Sequence, residues 1–212
     1  MCEVAVLHDG YSNMNGDGYM IANCTCSVIT GINNIIVDTM TPWDSKIIIN
    51  SLKKRELDCE QIEYVISTHG HSDHIGNNNL FLKATHIVGW SISFKNKYFI
   101  HPFEKGEEYV INGSVKVLPT PGHTLSDVTV LVKTKDEGTI AITGDLFEKC
   151  EDISNETLWK DMSEDPAKQS NNRSMIANLA DWIIPGHGPM FRVTNDMREM
   201  LKSQATNYNN NA

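Results

Sequence analysis

Apolar and polar positions alternate in short runs through the first forty residues, change to a helical period, and then return to short runs. Residues 3–7, 22–30 and 34–39 are β-prone. They are separated by a Gly/Asn/Asp-rich break over 13–18 and by Gly31-Ile32-Asn33-Asn34, which is hairpin chemistry. Thr41-Pro42-Trp43-Asp44 predicts a helix start, with a capping Thr, Pro at the first helical position and an acid in the first turn. Trp43, Ile47, Ile48 and Leu52 then recur at helical spacing, and Lys53, Lys54 and Arg55 sit near the C-terminal end, where cations suit the dipole. That triplet reads as a solvated face. Further strands are predicted over 63–67, 85–89, 114–118, 128–133, 139–143 and 181–184, with helices over 78–83 and 167–180, the latter introduced by Asp165-Pro166. Residues 90–113 lack a clear period but carry Phe94, Tyr98, Phe99 and Phe103, which reads as packing under a long loop, with a lid or dimer contact as the alternatives. The pattern predicts one domain over residues 1–203 and a polar, disordered tail over 204–212.

Composition changes this picture little. With 212 residues, 40% hydrophobic and 21% charged, the chain is long enough to bury a substantial core. A net charge of −9 argues against broad affinity for nucleic acid while leaving room for a local basic groove. No basic start and no long apolar stretch follows Met1, so neither a secretion signal nor a membrane span is expected. Cys2, Cys24, Cys26, Cys59 and Cys150 form an odd, scattered set that suits reduced thiols in the cytosol or nucleus. Cys24 and Cys26 lie on one face of a predicted strand and read as buried small side chains rather than half a metal site. The sequons at Asn23 and Asn155 are expected to be unused.

Candidate chemistry changes it a great deal. Ser67-Thr68-His69-Gly70-His71-Ser72-Asp73-His74-Ile75-Gly76 holds three of the chain's 8 histidines and a carboxylate at the end of a predicted strand. Imidazole nitrogen and carboxylate oxygen are ligands that borderline metals prefer. His123, Asp145 and His187 also follow predicted strands, in Pro121-Gly122-His123, Gly144-Asp145 and Pro185-Gly186-His187-Gly188. The set of His69, His71, Asp73, His74, His123, Asp145 and His187 exceeds what one tetrahedral ion can use, and divides into two sites that share a carboxylate. Two ions side by side would lower the pKa of water and stabilise charge on attacking and leaving oxygens. His8, His86 and His101 lack this setting and read as structural or surface residues. Arg173, Arg192 and Lys149 are candidates for phosphate contacts.

Together these four motifs resemble the metallo-β-lactamase fold superfamily. The resemblance implies an α/β fold, an αβ/βα sandwich of two mixed β-sheets flanked by helices. It implies one metal site built from His69, His71 and His123, another from Asp73, His74 and His187, with Asp145 bridging and Asp73 orienting the attacking water. Asp38, in Ile36-Val37-Asp38-Thr39, would support the site from behind, and Met40 stands where the superfamily usually has Gly. Two zinc ions per chain are implied, with iron or a mixed zinc–iron pair as the other occupants. The runs 69–77, 144–148, 163–166 and 185–193 further resemble one animal branch of the superfamily. That branch implies a homodimeric endoribonuclease of cytosol and nucleus that processes histone pre-mRNA 3′ ends, with RNA as partner and neither DNA nor membrane. The interval from Asp145 to His187 is too short for the inserted domain of the factors that cleave messenger 3′ ends, and little chain follows His187 for the helical domain of glyoxalase II. The alternatives are a glyoxalase II-like thioesterase or lactonase, an iron-dependent persulfide dioxygenase, and a non-catalytic metal-binding protein.

Overall fold

The structure is a computed structural model and describes residues 2–210. It opens with β1 (Glu3–His8) and a hairpin of β2 (Tyr11–Met14) and β3 (Met20–Asn23). Strands β4 (Cys26–Thr30), β5 (Ile35–Val37), β6 (Tyr64–Ser67), β7 (Thr85–Val88), β8 (Ser91–Phe94) and β9 (Lys97–Phe99) join β1 in a seven-stranded sheet of order β1-β4-β5-β6-β7-β8-β9. Within it, β5, β6 and β7 are parallel neighbours and the other pairs are antiparallel. A second, six-stranded sheet follows chain order, with β10 (Tyr109–Val110), β11 (Val115–Pro119), β12 (Val128–Lys133), β13 (Thr139–Gly144), β14 (Trp182–Pro185) and β15 (Phe191–Arg192). Only β13 and β14 are parallel there. The helices are α1 (Ser45–Lys53), the single turn α2 (Ser72–Ile75), α3 (Pro166–Leu179) and α4 (Asn195–Asn210).

Side chains of period two sort these elements into layers. Ile29, Ile35, Val37, Ile66 and Ile87 face Val115, Val117, Val130, Val132, Ile140 and Ile142 in one buried cluster between the sheets. Their strand neighbours Val28, Ile36 and Val65 turn outward and pack on Ile48 and Leu52 of α1. On the opposite side, Ala141 and Ile183 pack on Ile176, Ala177 and Leu201 of α3 and α4. Helix, sheet, sheet and helix thus stack as the expected αβ/βα sandwich. Each fully buried Ile or Val contributes about 1.5–3 kcal/mol of burial energy. Among the described residues no helix is long and apolar enough to cross a membrane.

The differences from the sequence reading have local causes. The run 22–30 is two strands, because Thr25 leaves the ladder to bond the loop after β14, donating from N to Gly186 O at 2.6 Å and from Oγ1 to Gly188 O at 3.0 Å. Cys24 and Cys26 are buried as free thiols. Residues 42–44 form a 3₁₀ turn before α1, which leaves Trp43 87% exposed, outside the apolar stripe assigned to it. Only residues 78–80 of the helix expected over 78–83 are helical, as a 3₁₀ turn. Within 90–113, Phe103 is buried as a packing residue, whereas Tyr98 and Phe99 lie exposed at the β9 edge. The disordered tail is a correction: residues 204–210 continue α4, held where Gln204 Nε2 donates to Ile153 O at 2.8 Å and Tyr208 Oη to Glu156 at 3.1 Å. Residues 211 and 212 lie outside the described residues.

Arg173 is a second correction. Far from reaching a phosphate, it is fully buried in α3. Its guanidinium binds Asp152 in bidentate fashion at 3.0 and 2.6 Å, donates to Leu146 O at 2.8 Å, and lies against the rings of Phe147 and Trp159. The polarity of Arg made a surface role the natural reading, but Asp152 supplies the charge that permits burial. Removing one partner strands the other. Asp152→Ala should therefore destabilise the metal-free protein to urea by about 3–5 kcal/mol, whereas breaking the exposed Lys168–Asp165 pair with Lys168→Ala should leave the midpoint unchanged. Equal effects of the two substitutions would contradict this account.

Candidate metal centre

The C-terminal ends of β5, β6, β11, β13 and β14 deliver Asp38, the 68–74 loop, His123, Asp145 and His187 to one edge of the sandwich. Local chemistry fixes each arrival. Thr68 donates from N to Asp38 Oδ1 at 2.8 Å and from Oγ1 to Asp38 Oδ2 at 3.0 Å, joining the ends of β5 and β6. Thr124 donates from N and Oγ1 to the two Asp127 oxygens, both at 2.6 Å, and locks the turn behind His123. Gly144 adopts φ +53, and a Cβ there would overlap Thr68 Oγ1. A Cβ on Gly186 would overlap Asp145 Oδ1, so β14 can approach the Asp145 carboxylate only because position 186 is glycine.

The seven residues singled out in the sequence converge in two groups that meet at Asp145. His71 Nδ1 lies 2.9 Å from His69 Nε2 and 3.1 Å from His123 Nε2. Asp145 Oδ2 is 3.6 Å from His69 Nε2 and 3.3 Å from His123 Nε2. In the other group, His74 Nε2 is 3.2 Å from Asp145 Oδ1 and 3.9 Å from Asp73 Oδ2. His187 Nε2 is 3.3 Å from Asp145 Oδ2 and 3.8 Å from Asp73 Oδ2.

This arrangement fits cations. His187 Nδ1 donates to Asn23 O at 3.0 Å and His74 Nδ1 pairs with Asp38 Oδ2 at 2.9 Å. Those outer partners leave a bare Nε2 turned inward on each ring, as metal-binding histidines require. His74 Nε2 and Asp145 Oδ1 are buried without a hydrogen-bond partner. Facing lone pairs and buried, unpaired polar atoms are costly unless a cation joins them. The donor atoms within each group all lie within 4.8 Å of one another, so His69, His71, His123 and Asp145, and Asp73, His74 and His187, are able to bind metal ions.

The electrostatics follow from burial and from Asp145. Burial holds His69 and His123 below the ordinary imidazole value. Burial opposes charge on His74 and His187 too, but Asp145, joined by Asp38 or Glu148, outweighs it, so His74 stands well above its usual value and His187 rises to about 9. Burial would also raise Asp145, but His187, His74 and His69 hold it well below the carboxylate range.

Sequence reasoning missed two kinds of residue. Glu148 is 2% exposed, lines the same cleft, and is pushed up to about 8 by burial and by Asp145. Gln169 Nε2 on α3 donates to Asp145 O at 2.9 Å, and Asn172 Nδ2 donates to Pro121 O at 2.7 Å, holding two ligand-bearing loops from one helix. Glu148 carried a signal, since it lies three positions after Asp145; Gln169 and Asn172 carried none. Of the phosphate candidates, Lys149 donates from Nζ to Ser12 O at 3.0 Å and ties the β2–β3 hairpin down, while Arg192 is exposed on β15; neither lines the cleft, and Arg173 is core. The cleft wall includes Met20, Ala22, Thr41, Ser72 and Met162.

The Metallo-beta-lactamase superfamily profile matches residues 21–187. The chain is 41% identical over 192 residues to Metallo-beta-lactamase domain-containing protein 1 of Xenopus laevis, covering 90% of this chain and 81% of that protein. It is 37% identical over 161 residues to the human protein of the same name, covering 75% of this chain and 59% of that one. Its fold is similar to a solved N-acyl homoserine lactone hydrolase, with a TM-score of 0.65 at 18% identity over 88% of this chain and 92% of that one. With the profile spanning most of its length and the motifs of that profile gathered at one sheet edge, the chain belongs to the metallo-β-lactamase superfamily of metal-dependent hydrolases.

Proposed function

We propose that the chain is a two-metal phosphodiesterase that cleaves RNA. The observation that supports it is Asp145, which stands between the two His/Asp groups: its Oδ2 faces His69, His123 and His187 and its Oδ1 faces His74, so one carboxylate touches both groups and suits a pair of ions. When bound, such a pair would lower the pKa of water at the site and neutralise charge on the attacking and leaving oxygens of a phosphodiester. The chain's own residues do the rest. Asp38 and Asn23 O fix the protonated face of His74 and His187, so both rings hold their free nitrogen toward the cleft. Asp73 is the partly exposed carboxylate of the group and accepts the proton of the attacking water, orienting its lone pair toward the substrate. The histone pre-mRNA target, the homodimer and the cytosolic or nuclear setting implied by the sequence likeness belong to this proposal.

A second reading rests on the cleft wall. Met20, Ala22 and Met162 make one side apolar, and among the described residues no Lys or Arg lines the cleft. That favours an acyl substrate, a lactone or a thioester, attacked by the same water. A panel of bis-p-nitrophenyl phosphate, a short single-stranded RNA, an acyl lactone and S-lactoylglutathione separates the two. Turnover confined to the acyl substrates would overturn the phosphodiesterase reading.

Asp145→Asn and His69→Ala should abolish hydrolysis and release at least one ion while circular dichroism remains that of a folded domain. Turnover by a metal-free preparation would refute the metal chemistry. Gly186→Ala removes no ligand but displaces Asp145, and should lower metal content in elemental analysis as Asp145→Asn does. Asp38→Asn should weaken metal binding by about 10–100-fold, the usual effect of losing a carboxylate behind a ligating His. Metal must also displace the proton of His187, held to about 9 without it. Metal affinity should therefore rise with pH through 6–8 and level off near 9, measured by competition with a chelator.

A further inference from the structure

Glu148 has no explanation as a structural residue. Its main chain is pinned, with N donating to Asp152 Oδ2 at 2.7 Å and O accepting from His187 N at 2.8 Å, so the side chain has a fixed origin. Its carboxylate is buried and lines the cleft, yet among the described residues it accepts no hydrogen bond, and its one ionic partner is His187 Nε2 at 4.0 Å. Asp152, four positions on, is equally buried but has the Arg173 guanidinium. A buried carboxyl group is paired, coordinates a cation or keeps its proton, and metal ligands of both kinds, carboxylate and imidazole, stand beside this one. Glu148, Asp145 and His187 offer donor atoms within 4.8 Å of one another, and Asp145 Oδ1 is already buried without a hydrogen-bond partner beside them. Donors at about 2.0–2.2 Å from a common ion stand up to about 4 Å apart, which the Glu148–His187 spacing satisfies.

We propose that Glu148 is a ligand of the second ion, and that it makes the two positions chemically unequal. This deepens the two-metal reading and rests on it. The first group offers three imidazoles and the Asp145 carboxylate. The second is built from two sets that share His187, one with Asp73 and His74 and one with Asp145 and Glu148, so Glu148 adds a carboxylate on the His187 side. Imidazole-rich sites suit zinc, whereas carboxylate-rich sites suit harder ions such as Mn²⁺. The second position therefore discriminates less against Mn²⁺ than the first, and Glu148 is the residue that sets this.

The test uses the full chain, stripped of metal and titrated separately with Zn²⁺ and Mn²⁺, read by calorimetry, by elemental analysis after desalting, and by electron paramagnetic resonance for Mn²⁺. Wild type should bind two ions, with Mn²⁺ preferring one position. Glu148→Gln should keep the first ion at wild-type affinity, weaken the second at least 10-fold, and lose the Mn²⁺ preference. Two ions bound by Glu148→Gln as tightly as by wild type would overturn the role of Glu148 while leaving the two-metal reading intact. A single ion in wild type would overturn both. Glu148→Gln is isosteric and its metal-free form should unfold no earlier than wild type. Glu148→Asp, which retains charge but shortens the reach, should also weaken the second ion at least 10-fold, and wild-type affinity in that variant would count equally against the proposal.

Discussion

Asp145 stands where it does because a guanidinium holds the peptide next to it. Arg173 donates to Leu146 O at 2.8 Å while its other face is neutralised by Asp152, and Asp152 in turn accepts from Glu148 N at 2.7 Å. One buried ion pair therefore clamps the turn 145–148 on both sides. The same helix reaches the His123 loop, since Asn172 donates to Pro121 O and Gly122 packs against Gln169, where no Cβ would fit. Helix α3 thus fixes the relative position of two loops that belong to different strands. A buried pair adds little net stability, because desolvation offsets most of its Coulomb energy. What it supplies here is register: a metal site tolerates little displacement of a carboxylate placed between its histidines.

On the first sheet a different device does the same task. Asp38 and Met40 both adopt φ +56, the left-handed region that L-residues rarely occupy. For Met40 this accounts for the glycine usual in the superfamily, and burial of the Met40 side chain beside Ile48 and Phe81 offsets the strain. The twisted backbone aims Asp38 at Thr68 and His74 together. Both sheets thus build the site at their strand ends, with its His and Asp side chains on the loops immediately beyond.

The fold and the convergence of the seven His and Asp side chains were legible because their signals are local. Alternating apolar runs gave the strands, and histidines or acids following those runs gave the site, since a strand end is where an active-site loop leaves a sheet. What was hidden depends on partners distant in sequence. Arg173 reads as a surface charge until Asp152 is placed against it, and residues 204–210 read as a polar tail until Gln204 and Tyr208 meet the 150s. Trp43 misled in the opposite direction: helical spacing put it in the core, but the turn starts as 3₁₀ and swings it into solvent. Glu148 was passed over because motif spacing ranks residues by type and position, and burial without a partner is visible only in three dimensions.

Charge connects the site to the question of substrate. The chain carries −9 overall, and its cleft holds Asp73, Asp145 and Glu148 of that total, with Asp38 directly behind. A polyanion would be repelled by such a surface, since the summed field of a protein steers charged ligands toward or away from a cleft. Divalent ions would reverse that field, since a bound ion is usually the largest local charge in its site. On the two-metal proposal, affinity for an anionic substrate is conferred by the ions rather than by lysine or arginine, none of which lines the cleft among the described residues. The three basic residues singled out in the sequence are employed elsewhere, in the core, at the hairpin and on the outer strand.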